Sequence, residues 1–344
     1  RPPRATLFPY TTLFRSLEYF NNPETSGDAL LIKAALMTPA WGGLPGKRPA
    51  FIIMATDRRC GKSTLANVIG FLYGGHIELN LTETAEDKLM SRLLTPGAMT
   101  KRVVRVDNIK ERYNSAFIEG LITAPTVNGH RLYYGDASRP NTLTFVLTGN
   151  ALRLSRDIAE RSIIIRLSKP QYRTDWESEV VSFVHDYQKQ ILMDIIAELK
   201  GPTKAFNESE RYSDWVKGVL ARCGGDTDSA IRLNTSRRNE CDEEQDEATT
   251  IMDAIDRHID DQHKSFLLSL RSSGDDASNI GQPPSTFITS TEMTTIVQDA
   301  LKESLTARSV NSRLSGHIEA GRLPRVTWKR RMENRGYLVK NHGE

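Results

Sequence analysis

Residues 56–64 read TDRRCGKST and follow a short apolar run, Phe51-Ile-Ile-Met-Ala55. A glycine, a lysine and two hydroxyl residues in succession, between a strand and a helix, are what a phosphate cradle requires. The backbone N–H groups of Thr56, Asp57, Arg58, Arg59, Cys60 and Gly61 would turn toward an anion. The positive end of a helix beginning at Lys62 would add to them. The Lys62 ammonium would reach the β- and γ-phosphates and Ser63 would hold Mg²⁺, with Thr64 the last residue of the binding set. The full spacing G-x-x-x-x-G-K-[ST] wants glycine where this chain has Thr56, and Arg59 also stands where glycine is frequent. The alternative is a surface loop capped by Ser63.

Three further residues fit the same chemistry. Asp107 ends the apolar run VVRVD and would complete the Mg²⁺ site opposite Ser63. Its neighbour is Asn108 rather than a second carboxylate, so the base that orients water would be Asp107 acting through water, Glu111 or another acid. Asn150 tips the apolar run TLTFVLTGN, where its amide could bond the γ-phosphate or the attacking water. Arg161 precedes SIIIRL and suits an arginine finger directed at a neighbouring subunit's nucleotide, with Arg153 and Arg156 as rivals. The alternative for Arg161 is a helix-end ion pair with Asp157 at i−4.

The elements that must position these residues alternate. Apolar runs at 51–55, 77–81, 103–107, 143–147 and 162–167 read as strands, and the segments between them carry helical spacing. Five strands with intervening helices predict an open α/β sheet with helices on both faces. A lead-in helix is expected within 17–49 and the core over 50–168. An acidic, mostly helical region follows over 169–271, its long first helix running from Trp176 to Leu199, with Thr174 and Glu177 at capping-box spacing. Residues 272–285, rich in Ser, Gly, Asp and Pro, read as a linker. Residues 286–344 carry helix, helix and hairpin, the order of a small winged-helix-like domain.

Composition narrows the classes. With 26% charged and 38% hydrophobic residues the chain is neither disordered nor fibrous. No apolar run reaches membrane-spanning length, so no membrane role is expected. Cys60, Cys223 and Cys241 lack any paired spacing, which argues against a disulfide framework or zinc ribbon and for a reducing, cytoplasmic setting. Residues 1–16, ending TLFPYTTLFRS, match one reading frame of a short-read sequencing adapter and are read as an artefact. On that reading the chain is a metagenomic fragment that has lost an upstream region. Arg1, Arg4 and Arg15 then supply the whole formal charge of +3.

The remaining charge is sorted. Residues 205–261 hold 7 Lys/Arg against 15 Asp/Glu, and residues 302–344 hold 10 against 4. Arg325, Lys329, Arg330 and Arg331 cluster around Trp328 in the expected hairpin, a density suited to neutralising nucleic-acid phosphates. The alternative is a solvated face on a packing module.

GKST at Gly61–Thr64, VDN at Val106–Asn108, TGN at Thr148–Asn150 and DIAERSIIIRL at Asp157–Leu167 together resemble AAA+ P-loop ATPases, in particular the superfamily 3-like replicative helicases of phages, plasmids and integrative elements. The resemblance covers about residues 28–261. It implies a P-loop NTPase fold, ATP and Mg²⁺ as cofactors, and a homo-oligomer, a hexameric ring with ATP between subunits. It also implies an upstream primase or polymerase domain and DNA as partner, single-stranded in the channel and duplex at the C-terminal domain. A hairpin at 123–134, read with a turn at Asn128-Gly129, would line the channel through His130 and Arg131. The expected function is an ATP-driven DNA motor, a replicative helicase. The alternatives are an ATP-gated DNA-binding switch or loader without unwinding, and a small-molecule kinase.

Overall fold

The structure is a computed structural model that describes residues 25–55, 57, 59–79, 86–109, 112–131, 135–168, 176–272, 285–331 and 334–340. The tract 1–16, Thr56, Arg58, Glu111, Thr174 and most of the expected linker lie outside the described residues. The chain divides into two compact units, one ending at Asp242 and the other beginning at Glu243.

In the first unit, β1 (Ala50–Ala55), β2 (His76–Glu78), β3 (Val103–Ile109), β7 (Thr144–Asn150) and β9 (Ser162–Arg166) form one sheet in the order β2-β3-β7-β1-β9. All neighbouring pairs are parallel. A minor parallel pair, β4 (Arg112–Tyr113) with β8 (Arg153–Leu154), and an antiparallel hairpin, β5 (Thr126–Arg131) with β6 (Gly135–Pro140), flank it.

Successive side chains of a strand point to opposite faces, and every residue of β1 is buried. Phe51, Ile53 and Ala55 therefore enter one core and Ala50, Ile52 and Met54 the other. The first core is covered by α1 (Ser26–Met37), α2 (Lys62–Leu72), α7 (Trp176–Lys200), α8 (Ser213–Gly218) and α9 (Thr227–Cys241). The second is covered by α3 (Glu86–Leu93), α4 (Pro96–Met99), α5 (Ala116–Thr123) and α6 (Arg156–Glu160). The α/β sheet flanked by helices that the alternation predicts is thus the observed architecture.

One buried ion pair ties the lead-in helix to the sheet. Thr25 and Asp28 form a capping box at the start of α1. The fully buried Asp28 carboxylate also receives the Arg237 guanidinium from α9, with Nη2 to Oδ2 at 2.7 Å, and the Arg166 main-chain N–H from β9 at 2.9 Å. One carboxylate thereby joins three elements that are far apart in sequence.

The second unit holds α10 (Glu243–Ser272), β10 (Ser285–Thr289), α11 (Ser290–Leu301), α12 (Ala307–Glu319), β11 (Val326–Arg331) and β12 (Asn334–Lys340). Its three strands form an antiparallel sheet in the order β10-β12-β11. The Thr289–Glu292 capping box opens α11 as the spacing predicts. The division at Asp242 differs from an acidic region running to 271. Ile251, Ile255 and Ile259 form an i, i+4 stripe on α10 that packs with Met293, Val297, Val310, Leu314 and Tyr337, so this helix belongs to the C-terminal core.

Removing one partner of a buried, hydrogen-bonded ion pair leaves an uncompensated charge. Arg237→Ala is therefore expected to lower unfolding free energy by roughly 3–5 kcal/mol. Chemical denaturation of the variant checks this, and a loss near that of an exposed arginine would show that Asp28 is satisfied without it.

Candidate functional site

β1 ends at Ala55 and α2 begins at Lys62, so the candidate loop leaves the C-terminal edge of the sheet. Gly61, at the N-cap of α2, has φ 78°, and Arg59 has φ 63°. Both are left-handed, a conformation that glycine adopts freely and a residue with a Cβ adopts at a cost of roughly 1–2 kcal/mol. The structure thus shows why glycine suits the Arg59 position and what its absence does: the loop keeps its curl under backbone strain. A Cβ on Gly61 would also lie 2.5 Å from the Trp176 ring.

Lys62 and Ser63 open the helix beneath this turn. The Lys62 ammonium donates to the Asp57 carbonyl at 3.5 Å. Burial pushes its pKa down, while Cys60 and Asp107 pull it back up. No carboxylate lies within ion-pair distance of it among the described residues, so an arriving anion would restore what burial removed. Cys60 is buried and its thiol donates to the Asp57 carbonyl at 3.3 Å.

Asp107 stands opposite. The Ser63 hydroxyl donates to its Oδ1 at 3.1 Å. Strand alternation sets this approach: Asp107 is in phase with Val103, which packs in the core that α2 covers, and with Arg105, which bonds Asn67 of α2. Beyond it the register with β7 shifts between Val106 and Ile109, and Asn108 has φ 58°. The Asn108 N–H donates to Asp107 Oδ1 at 3.0 Å and the buried Thr148 hydroxyl bonds the same oxygen. Arg105 lies 3.5 Å from Oδ2 and is itself held by Glu78 at 2.9 Å. Sequence reasoning missed Thr148 and Arg105. The signal for Thr148 was present, as a polar residue within an otherwise apolar strand.

β7 runs between β1 and β3, and Asn150 pairs in register with Ala55. Asn150 is exposed at that strand tip, between the loop and Asp107. The first turn of α7 also reaches the loop. Besides the Trp176 ring at Gly61, Glu177 accepts a hydrogen bond from the Thr64 hydroxyl at 3.1 Å. Glu177 was expected only as a capping residue; the sheet order and the return of α7 over α2 bring it here. A cavity of about 310 Å³ opens beside Ala55, lined by Met54, Leu152, Leu167 and Cys241 with the Arg166–Glu240 ion pair among them.

Arg161 lies at the other end of the sheet. Its carbonyl accepts the Ala50 N–H at 3.0 Å, where β1 begins. A strand of this length spans about 17–20 Å, so Arg161 stands far from its own phosphate loop. Its guanidinium pairs with Asp157 at 3.1 Å, the contact expected of a helix-end arginine. The rivals are also engaged: Arg156 with Glu160 at 3.0 Å and Arg153 with the Glu240 carbonyl at 2.7 Å.

The hairpin differs from the sequence reading. Asn128 pairs with Ser138 and Gly129 with Ala137, so both sit inside β5 and the reversal comes later, beyond Arg131. Gly129 serves close packing instead: a Cβ there would lie 3.1 Å from Leu94 and 3.3 Å from Met90. His130 is exposed and its Nδ1 lies 3.1 Å from Asp136 across the strands. The Arg131 side chain lies outside the described residues.

In the C-terminal unit, Lys329 and Trp328 are exposed on β11. Arg325 is not a free cation. Its guanidinium grips both oxygens of Asp256 on α10, at 2.7 and 2.5 Å. Arg330 and Arg331 lie on β11, with side chains outside the described residues.

No protein-family model matches the sequence, and no curated protein is similar to it at a significant level. The chain is similar in structure to the apo A form of the NrS-1 C-terminal region, with 14% identity and a TM-score of 0.48 over 96% of this chain and 76% of that one. A second structure of that region gives 13% identity and a TM-score of 0.47 over 96% and 75%. No helix among the described residues is long and apolar enough to cross a membrane.

The loop geometry gives paired expectations. Arg59→Gly relieves a left-handed strain and should raise the melting temperature, whereas Gly61→Ala adds that strain plus a clash with Trp176 and should lower it. Each change is of order 1 kcal/mol or more. Thermal unfolding of both variants checks the pair, and equal effects would contradict the conformations assigned to the loop.

Proposed function

We propose that this protein is an ATP-driven DNA motor, a ring helicase acting in mobile-element replication. The observation that carries the reading is the Ser63 hydroxyl 3.1 Å from the Asp107 carboxylate, directly after Lys62 at a helix N-terminus. Asn150 stands on the strand between the two. A triphosphate lying along the N-terminus of α2 would meet the loop N–H groups and Lys62. Its outermost phosphate would face Asp107 and Asn150.

The donor set suits Mg²⁺. Ser63 and Asp107 offer hard oxygens from two sides, and this ion keeps several waters rather than requiring a full protein cage. Bound there, the metal would neutralise charge developing on the phosphates. Asp107 is held in place for that task by Thr148 and the Asn108 N–H. The cavity beside Ala55, apolar over much of its lining, offers a space for the base.

Arg161 cannot serve its own loop from the opposite sheet edge, so its role as a finger requires a neighbouring copy. That supports a homo-oligomeric ring with ATP between subunits, in which Arg161 exchanges Asp157 for a phosphate. His130 and Arg131 on the hairpin would meet single-stranded DNA. The C-terminal unit, with two helices and a three-stranded antiparallel sheet, fits a winged helix that presents Lys329 and its neighbours Arg330 and Arg331 to duplex phosphates.

A second reading, an ATP-gated switch or loader, is favoured by the strained Arg59 and by Asn108 in place of a second acid. It requires nucleotide-dependent DNA binding with no strand displacement.

Lys62→Ala should reduce DNA-stimulated ATP hydrolysis by roughly a hundredfold or more. A wild-type protein that neither binds nor hydrolyses ATP would overturn the reading. Mixing Arg161→Ala with Lys62→Ala subunits should restore part of the turnover, because mixed interfaces then contain one complete site. No recovery would leave Arg161 as the structural partner of Asp157.

A further inference from the structure

The N-terminal edge of the same sheet carries a second cluster of cations. Arg48 precedes β1, Lys101 and Arg102 precede β3, and Arg139 lies near the end of β6. With Trp41 and Thr142 they line a cavity of about 390 Å³ whose lining holds no carboxylate among the described residues. Arg48 and Arg139 are buried, at 3% and 6% exposure, while Arg102 is exposed at the rim.

Their hydrogen-bond partners among the described residues are main-chain carbonyls, and the Arg48 guanidinium also lies over the Trp41 ring, 5.3 Å from its centre. Arg48 donates to those of Thr38 at 3.0 Å, Trp41 at 2.8 Å and Gly43 at 3.2 Å. Arg139 donates to those of Ala98 at 2.8 Å, Lys101 at 3.0 Å and Leu93 at 3.4 Å. Arg102 donates to Pro39 at 3.1 Å, and the Lys101 ammonium to Gly74. Carbonyls position a guanidinium but supply no countercharge. Burial first, and then the neighbouring Arg102, pull the Arg48 pKa down to about 10. Donors are left over as well: Arg102 uses few of its N–H groups, and the buried Arg48 Nε has no partner. A protein that gathers this much like charge without an acid pays an electrostatic cost that a multiply charged anion would remove.

We propose that this cavity binds phosphate groups, presented by a nucleic-acid backbone or by a free nucleotide, at a site separate from the loop at the far end of β1. The donors still open here are those of the Arg102 guanidinium and the Arg48 Nε, and guanidinium N–H groups suit phosphate oxygens. The strand length places the two sites about 17–20 Å apart. The inference stands on this cavity alone and does not depend on nucleotide binding by the Lys62 loop.

The test uses the full chain carrying Lys62→Ala, which disables that loop, and follows tripolyphosphate binding by calorimetry at low salt. Binding should persist in Lys62→Ala and weaken roughly tenfold on adding Arg102→Ala, the loss of one charge-assisted contact. Lys101→Gln, a milder change at the cavity, should weaken it in the same direction. Thermal unfolding identifies any variant that fails to fold. Displacement of tripolyphosphate by a short oligothymidylate would identify a strand as the source, and displacement by ATP alone a free nucleotide. Absence of binding to folded Lys62→Ala protein, or equal binding with and without Arg102 and Lys101, overturns the proposal. ATP hydrolysis by the wild type tests the loop independently, so either reading can fail without the other.

Discussion

The contact between Ser63 and Asp107 is the constraint on which the site depends. It joins the first turn of α2 to the end of β3, across a strand that neither belongs to. For the two oxygens to stand 3.1 Å apart, β7 must be inserted between β1 and β3, α2 must leave the sheet through a left-handed Gly61, and Asp107 must fall in phase with Val103 and Arg105 on the face that α2 covers. Each condition is a backbone property. The side chains then need only be a short hydroxyl and a short acid.

The sheet accounts for the rigidity of that arrangement. β1 contributes alternate residues to two cores, so the strand that leads into the loop cannot shift without disturbing packing on both faces. Asp28 extends the same logic to the lead-in helix by joining α1 to β9 and α9. In the first unit the strain sits in the described positive-φ residues Arg59, Asn108 and Ala151, all at the C-terminal edge of the sheet, while Lys302 is left-handed in the second unit. Such residues persist where surrounding structure over-determines them.

The two edges of the sheet differ in chemistry. The C-terminal edge combines one lysine, hydroxyls, an amide and a carboxylate, a mixture able to bind both phosphate and a cation. The N-terminal edge gathers arginines held by carbonyls, with Arg161, just ahead of β9, bound to Asp157.

Much of this was legible in the residues themselves. Five apolar runs separated by helical spacing determine a parallel α/β sheet, because a strand buried on both faces must be continuously apolar. The succession Gly-Lys-Ser after such a run determines a helix N-terminus with a lysine and a hydroxyl on it, since both depend only on neighbours in the chain. Tertiary packing decided the rest. It brought Thr148 to Asp107 and Glu177 to Thr64, paired Asp28 with Arg237 and Arg325 with Asp256, and gave Gly129 a packing role in place of a turn. These are contacts between residues distant in sequence, and local pattern carries no record of which strand lies beside which.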